Sequence, residues 1–412
     1  MAIIDLLNPL NGDSCQDSLW HIATSDASGL TNMKYVFDVF DNADNHLVRT
    51  KIYPDVSTGK GYFDAGSVVR NEVSYEWFDF NAEDYGVYLY TPDQINQHAV
   101  TYKIKVGEEY NIGTSGITQL YQSTGTVKAF NYLPPVFGRR PRNGSGIIQN
   151  MLTRDDGWLT NRPMYGNSSL DANEPLLIPI WLTDSANIIA NLYTDSGTLI
   201  NSSSVSLGSF TGQNAHEVNL SLSAIYSELG YDMNTYGDGS YALFWPDTNT
   251  SQKFRVNFVC KRDYNPICLY FMNAYGMYDT ARFDCTNKLT MNATRKSFER
   301  KDVNFGNINY GAGSSFEPIY YNSSNVYNET KMSYGSEMTW SYKLQMNFPT
   351  DAEWEWLSEL IYSPQIYMLI DGAYYPVTVK ATNYEYYKQI YTKLKTFELE
   401  VEVNQKRNGF RR

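Results

Sequence analysis

The chain has 412 residues, with 33 Lys and Arg against 45 Asp and Glu, so its net charge is −12. A protein that grips nucleic acid by its phosphates needs a basic surface, and this acidic balance argues against that class. At roughly 150 residues per domain, the length predicts two or three domains. The 35 tyrosines, together with many Asn, Ser, Thr and Gly, favour β-strands and turns over helix bundles.

No segment of the sequence has the pattern of a membrane span or a secretory signal. The first residues include no Lys or Arg of the kind that begins a secretory signal, and the apolar run stops at Leu7, before Asn8 and Pro9. No stretch approaches the ~20 apolar residues that cross a bilayer. We therefore expect synthesis in a cytoplasm, where the four cysteines stay free thiols: Cys15, Cys260, Cys268 and Cys285.

The first predicted domain covers residues 1–135 and has the pattern of an antiparallel sandwich. Bulky β-forming residues alternate with polar ones, and Gly, Asn and Asp separate the segments. The predicted strands include Met33–Phe40, His46–Tyr53, Val73–Phe80 and Ala99–Val106.

Residues 136–169 form a predicted connector with no regular period. The segment is rich in Gly, Asn and Pro, and it is locally basic in an acidic chain. Two interpretations stay open: a solvated linker, or an arm that docks on an acidic neighbour. The residues of this candidate partner-contact arm are Arg139, Arg140, Arg142, Arg154 and Arg162.

The next predicted domain, residues 170–262, resembles a small sandwich of the fibronectin or immunoglobulin type. Its short apolar segments are separated by turn residues, and Asp195-Ser196-Gly197 has the composition of a tight hairpin turn. The predicted strands are Glu174–Leu182, Asn187–Thr194, Thr198–Leu207, Tyr241–Trp245 and Lys253–Cys260.

The C-terminal domain, residues 263–412, begins with a segment that has a thiol at each end, Cys268 and Cys285. It can be a metal loop, a disulfide-closed loop, the floor of a pocket or a β-hairpin. Structural zinc prefers closely paired ligands, and a disulfide has little use in a cytoplasm. The continuous apolar run Ile267–Met272, followed by a turn with Gly276, favours a packed hairpin with buried thiols.

One amphipathic helix is predicted at residues 351–362. Thr350 and Glu353 have the spacing of a capping box, and Ser363-Pro364 ends the helix. One side of the wheel is apolar and the other, which includes Glu359, is polar. Two strands joined by Asp371-Gly372 follow.

The last predicted strand alternates apolar and acidic residues. Phe397, Leu399, Val401 and Val403 are expected on the core face. The opposite face then carries a candidate channel-facing acidic stripe, made of Glu398, Glu400 and Glu402.

The sequence contains no established catalytic motif. The histidines are far apart, and Gly311–Phe316 lacks the Lys of a phosphate-binding loop. Glycoside hydrolysis needs only two carboxylates, and Asp155-Asp156 beside Trp158 is the best candidate because an indole ring can stack on a sugar. Polar turn residues beside a packed Trp are the alternative. We expect no enzymatic activity, no cofactor and no metal site.

Three motifs resemble tail-associated virion proteins of Bacteroidetes phages, including the crAss-like group. Met33–Ser74 is similar to their opening module, in which a basic strand and a Pro precede a G-x-F-D turn, here Gly61-Tyr62-Phe63-Asp64. Phe271–Gly276 is similar to their recurrent F-L-N-x-Y-G hairpin. Pro349–Lys380 resembles the helix, Ser-Pro and hairpin found late in the same proteins.

This resemblance implies a structural role in the virion tail, as a hub, ring or baseplate component. Such a subunit assembles with copies of itself and with other tail and portal-proximal proteins into a symmetric oligomer that helps to form the genome-delivery conduit. DNA would pass without specific binding, and the acidic stripe would face it. The alternatives are a carbohydrate- or receptor-binding tail-tip module and a tail-associated hydrolase.

Overall fold

In the computed structural model, strands predominate and the helices are short. The residues that the structure describes are 3–73, 99–112, 115–133, 155–169, 175–183, 187–206, 213–221, 229–230, 239–259, 266–299, 303–310, 313–320, 331–347, 350–380, 396–404 and 407–408. The predicted fold class is confirmed: the chain is mainly β, with several antiparallel sheets. No helix in these ranges is long and apolar enough to span a membrane.

The N-terminal domain contains two sheets around one core. Its elements are β1 (Ile3–Leu7), β2 (Trp20–Ser25), β3 (Lys34–Asp41), β4 (His46–Ile52), β5 (Gly61–Asp64), α1 (Gly66–Asn71), β6 (Ala99–Ile112) and β7 (Ser115–Phe130). The sheets have the orders β1-β2-β5 and β4-β3-β6-β7. Helix α1 was not predicted. All but the first residue of the predicted strand Val73–Phe80 lie outside the described residues.

The middle domain is a sandwich of two sheets. Its strands are β8 (Gly157–Trp158), β9 (Tyr165–Ser169), β10 (Leu177–Thr183), β11 (Asn187–Tyr193), β12 (Leu199–Ser206), β13 (Gln213–Asn219), β14 (Tyr241–Pro246) and β15 (Phe254–Val259). The sheets have the orders β13-β10-β8 and β12-β11-β14-β15-β9. Apolar side chains from both sheets fill the space between them.

The predicted end of the connector at residue 169 is wrong. Strand β8 already pairs with β10, and β9 pairs in parallel with β15. The physical reason is burial: Trp158 fills the sandwich core, and its Nε1 donates to the backbone oxygen of Gln252 at 2.8 Å. A short segment without visible periodicity can still complete a sheet when one of its side chains completes the core.

The C-terminal domain is built on one large antiparallel sheet. Its elements are β16 (Ile267–Met272), β17 (Tyr278–Phe283), β18 (Thr286–Glu299), β19 (Val303–Tyr310), β20 (Gly313–Tyr320), β21 (Lys331–Asn347), α2 (Asp351–Leu357), α3 (Glu359–Tyr362), β22 (Ile366–Ile370), β23 (Ala373–Val379), β24 (Thr396–Val403) and β25 (Arg407–Asn408). The sheet has the order β17-β16-β22-β23-β24-β21-β18, β25 adds to β21, and β19 and β20 form a separate hairpin.

The helical segment packs on one face of this sheet. The capping box is confirmed: the Thr350 hydroxyl accepts from the Glu353 amide at 3.1 Å, and Glu353 Oε2 accepts from the Thr350 amide at 2.7 Å. The prediction of one continuous helix is wrong, because the segment divides at Ser358 into α2 and α3. Trp356 and Leu360 reach the core from either side of that break.

The segment between Cys268 and Cys285 is a β-hairpin, as predicted. Cys268 lies opposite Arg282, so the two thiols are not in register. Both are free, Cys268 buried and Cys285 half-buried. Gly276 in the turn has φ +73°, a conformation that glycine adopts without a steric cost. The described residues contain no group of three or more metal-ligating side chains.

Candidate functional site

The three domains meet around strand β10, which is buried on both faces. Ile178, Ile180 and Leu182 point into the sandwich core. The alternate residues point the other way, where Leu177 packs against side chains of the β16–β17 hairpin and Trp181 joins a second apolar cluster. Both faces of this strand are therefore packed against other parts of the chain.

The second apolar cluster contains side chains from all three domains. Phe130 ends the N-terminal domain, Leu159 and Trp181 belong to the middle domain, and Met277 lies in the turn of the hairpin. The rings of Phe130 and Trp181 meet edge to face, with centroids 5.8 Å apart. We call this contact region, together with the polar groups described below, the junction.

The carboxylate of Asp279 is the polar centre of the junction. Its Oδ2 accepts hydrogen bonds from Thr160 Oγ1 at 2.6 Å, Asn273 Nδ2 at 3.1 Å and Trp356 Nε1 at 3.1 Å. Thr160 comes from the middle domain, and the other residues come from the C-terminal domain. Burial raises the pKa of Asp279, while the three donors and the charge of Arg162 oppose that shift.

Arg162 reinforces the same contact. Its Nη1 donates to the backbone oxygen of Thr280 at 2.8 Å, and its guanidinium lies 4.7 Å from the ring centroid of Trp356. Including Arg162 in a free arm was therefore wrong, because its side chain binds the C-terminal domain of its own chain. The other four residues of the predicted arm, Arg139, Arg140, Arg142 and Arg154, lie outside the described residues.

Glu359 makes a parallel bridge. Its Oε1 accepts from Asn161 Nδ2 at 2.7 Å, and its Oε2 accepts from the backbone amide of Ala274 at 2.9 Å. Burial raises the pKa of Glu359 from 4.5 to about 7. Its predicted position on the solvated side of a helix was wrong: Glu359 follows Trp356 by three residues, so both side chains lie on one side of the helical segment, and both are buried.

A third buried carboxyl comes from strand β13. Glu217 Oε1 accepts from the backbone amide of Tyr278 at 2.5 Å. Burial raises the pKa of Glu217 well above its ordinary value, and the nearby charge of Asp279 raises it further. Among the described residues, neither the second oxygen of Glu217 nor that of Asp279 has a hydrogen-bond partner.

Chemically, this arrangement is suited to holding domains together. Perturbed carboxyls mark catalytic sites when they line an open cleft, but Glu217, Asp279 and Glu359 are all buried. A recess of about 180 Å³ lies beside them, between the N-terminal domain and the hairpin turn. Its lining includes Asn131, Tyr132 and Tyr362, and the described residues of the lining include no carboxylate, histidine or cysteine.

The candidate sugar-stacking residue is not available for stacking. Trp158 is fully buried in the sandwich core. Asp156 is also buried and accepts a hydrogen bond from the Thr248 hydroxyl, whereas Asp155 is exposed. This group is therefore a packed Trp beside polar turn residues, which was the alternative interpretation.

The acidic stripe on β24 has the predicted alternation but is compensated in charge. Glu398, Glu400 and Glu402 lie on the face away from the core. Lys343 is 2.6 Å from Glu398, and Lys380 is 3.4 Å from Glu400 and 2.9 Å from Glu402. Two ammonium groups thus offset three carboxylates, which weakens any field that the stripe exerts.

An exposed ribbon, which we call the β-arm, consists of residues 288–299 of β18 paired with residues 331–343 of β21, and the two residues of β25 add to β21 at Glu337 and Met338. Every side chain from Lys288 to Glu299 is exposed. Leu289 and Met291 are 53% and 60% exposed and lie opposite Tyr342 and Trp340. Of the described strands, only β21 pairs with β18, so the outer edge of β18 is open.

Sequence reasoning missed both the junction and the β-arm. Asp279 is the one acid in strand β17 and lies close to the turn of a mainly apolar hairpin, and this was the available signal for a buried, hydrogen-bonded carboxylate. For the β-arm, the alternation of Leu289, Met291 and Ala293 with polar residues was visible. It indicated a strand but carried no information on how far that strand extends past the core.

Comparisons with known proteins identify no family. No family model and no curated protein matches the chain. Solved structures of bacterial α2-macroglobulins align weakly. The trypsin-activated protein from Escherichia coli has 6% identity and a TM-score of 0.19, over 84% of this chain and 23% of that one. The methylamine-reacted protein from Salmonella has 8% identity and a TM-score of 0.19, over 96% and 23%. The chain thus spans about a quarter of their length, and similarity at this level carries no argument about function.

Proposed function

We propose that the chain is a structural subunit of a bacteriophage tail, of the hub, ring or baseplate type, which assembles into a symmetric oligomer and helps to form the genome-delivery conduit. The observation that carries this proposal is the β-arm, with its exposed Leu289 and Met291 beside an open strand edge. Isolated proteins usually protect such edges, whereas assembling subunits use them for contact.

The junction supports the same proposal. A subunit that transmits load needs domains that keep one relative position. Here Asp279, Glu359 and the cluster around Trp181 bind the domains by buried polar and apolar contacts. The order of phage-tail motifs along the sequence supplies the assignment to a tail, and the subunit works by contact rather than by turnover.

The direct test is the composition of the particle. Antibody or mass-spectrometric detection of the chain in purified virions, at a stoichiometry that matches a ring and together with portal and tail proteins, is the expected result. Absence from intact virions would overturn the proposal. For the channel hypothesis, replacing Glu398, Glu400 and Glu402 by Gln should slow DNA release, and unchanged release would refute a role of the stripe.

A carbohydrate- or receptor-binding tail-tip role is the second candidate, and one observation favours it. Trp20 and Tyr62 are 51% and 36% exposed and lie diagonally on the outer face of the β1-β2-β5 sheet. Two flat rings on one surface can stack on a sugar. Binding on a glycan array that is lost in both Trp20→Ala and Tyr62→Ala would support this role, and no binding would exclude it.

A further inference from the structure

The β-arm differs in charge from the rest of the chain. It carries Lys288, Arg295, Lys296, Lys331 and Lys343 against two carboxylates, Glu299 and Glu337, and stays net positive when Lys343, which pairs with Glu398 of β24, is left out. The chain as a whole has a net charge of −12, so everything outside the β-arm is more acidic still. Lys296 and Glu337 pair with each other across the two strands. A basic edge on an acidic body is complementary to another copy of that body.

We propose that the β-arm docks head to tail on the acidic surface of a second copy of this chain, with the outer edge of β18 and its exposed apolar residues as the contact. This inference rests on the proposed function as an assembling subunit and names its partner. At about 3.4 Å per residue, the 14 residues of β18 offer an edge of about 45 Å.

The charge also disfavours the symmetric alternative. Two β-arms paired edge to edge would bring together two segments that each carry a net positive charge, whereas the rest of the chain offers a surface of opposite charge. A contact between unlike patches is heterologous, and repeated heterologous contacts close into a ring when the rotation allows it. The charge pattern therefore matches the symmetry that a tail ring requires.

The apolar side chains specify a protein partner rather than DNA. Leu289 and Met291 lie on the face that continues the core side of the sheet, opposite Tyr342 and Trp340. Farther along the β-arm, the ring centroids of Phe298 and Tyr334 are 6.2 Å apart, and both side chains are about half exposed. The phosphates of a DNA backbone would leave these apolar side chains exposed to water, whereas a strand or loop of a second copy would bury them.

Cross-linking of the full-length protein tests the proposal. Unlabelled and ¹⁵N-labelled chains are mixed and treated with a carbodiimide, which joins Lys to Asp or Glu at zero length. We expect mixed-isotope links from Lys288, Lys296 or Lys331 to carboxylates outside the β-arm. The link between Lys296 and Glu337, which are in contact, provides an internal control within one chain. Mixed links confined to two β-arms, or none at all, would overturn the proposal.

Matched variants give a second readout by sedimentation velocity. Lys288→Glu with Arg295→Glu should weaken self-association at least tenfold, and so should Leu289→Ser with Met291→Ser. Lys60→Glu with Lys253→Glu makes the same change in charge at exposed positions away from the β-arm and should leave association unchanged. All substituted residues are exposed, so each variant is expected to keep the parental Tm, and calorimetry checks this.

The outcomes separate this inference from the proposed function. If the chain self-associates and the β-arm variants associate as well as the control pair, the docking mode is wrong and the tail-subunit proposal stands. Binding of the β-arm to DNA or to a different acidic protein, with the chain itself monomeric, contradicts docking on a second copy in the same way. If the chain is both monomeric and absent from virions, both proposals fail.

Discussion

Asn161 and Glu359 are 198 residues apart in the chain, yet Asn161 Nδ2 donates to Glu359 Oε1 at 2.7 Å across the boundary between two domains. The acceptor is buried, and its second oxygen accepts from the amide of Ala274. One carboxyl thus connects the middle domain, the hairpin turn and the helical segment. The stability of this connection depends on the protonation of Glu359.

The first prediction concerns pH. Because burial raises the pKa of Glu359 from 4.5 to about 7, the folded protein holds a proton that the unfolded chain releases. The contribution of the protonated form to stability is fully present below pH 4.5 and is lost as the pH rises through 7. By the usual conversion, the shift corresponds to about 3 kcal/mol.

Glu359→Gln removes this titration and keeps one of the two acceptor oxygens, so it loses the hydrogen bond from either Asn161 or Ala274 at every pH. We expect Glu359→Gln to raise Tm relative to the parent at pH 8 and to have a smaller effect at pH 5, as measured by calorimetry. Glu355→Gln, at an exposed position of α2, is the control and should show no such difference between the two pH values. If the Tm of Glu359→Gln differs from the parental Tm by the same amount at pH 5 and at pH 8, Glu359 does not have this role.

The second prediction concerns the contact between Thr160 and Asp279. Asp279→Ala leaves Thr160, Asn273 and Trp356 without their shared acceptor, and the loss of a buried hydrogen-bonded carboxylate costs about 3 kcal/mol. Asp279→Asn should cost less, because its side-chain oxygen still accepts.

A double-mutant cycle isolates this contact. Thr160→Val and Asp279→Ala, singly and together, should show a coupling free energy of about 1–2 kcal/mol in urea unfolding, because each change removes the hydrogen bond. Ser202→Ala removes an exposed hydroxyl of the middle domain, and its effect on the free energy of unfolding should add to that of Asp279→Ala. Additivity in the Thr160 cycle would mean that the hydrogen bond does not couple the domains.

The third prediction concerns the hairpin turn. A Cβ on Gly276 would lie 2.1 Å from the backbone oxygen of Asn131 in the N-terminal domain, and the residue has φ +73°. Gly276→Ala should therefore both strain the turn and separate the two domains. Gly372→Ala is a matched control, because Gly372 has φ +77° but no atom within 4 Å of the added Cβ.

Gly372→Ala isolates the backbone strain, which costs about 1–2 kcal/mol. We expect Gly276→Ala to lose at least about 2 kcal/mol more, since a backbone oxygen cannot move aside as a flexible side chain can. Limited proteolysis should also cut the variant near residue 133 faster than either the parent or Gly372→Ala. Equal losses in the two variants would contradict a tight contact at Asn131.

The fourth prediction concerns Trp158. Because its ring is fully buried in the sandwich, Trp158→Ala should destabilise the protein by about 3–5 kcal/mol through the cavity that it leaves. Trp20→Ala, at an exposed position, is the control and should change stability by less than about 0.5 kcal/mol. A stable Trp158→Ala variant that loses only sugar binding would restore the stacking interpretation.

Local rules predicted the strands and turns well. The hairpin at Gly276, the turn at Asp371-Gly372 with both φ positive, and the capping box at Thr350 follow from side-chain size, backbone freedom and hydrogen bonds within a few residues. The continuous apolar run Ile267–Met272 correctly indicated a strand covered on both faces. These features depend on interactions between residues that are close in the sequence, so they can be predicted from the sequence alone.

The tertiary structure alone decided where the polar residues lie. Glu359 is buried because Asn161 of the middle domain and Ala274 of the hairpin turn lie against its side of the helical segment. Arg162 binds Thr280 because the middle domain packs against the hairpin. The β-arm is exposed because β18 and β21 continue past the end of β24, where the two residues of β25 are the other described strand that pairs with β21. The alternation of residues along a strand determines which side chains share a face, but whether that face meets a core, a second domain or solvent depends on residues far away in the chain.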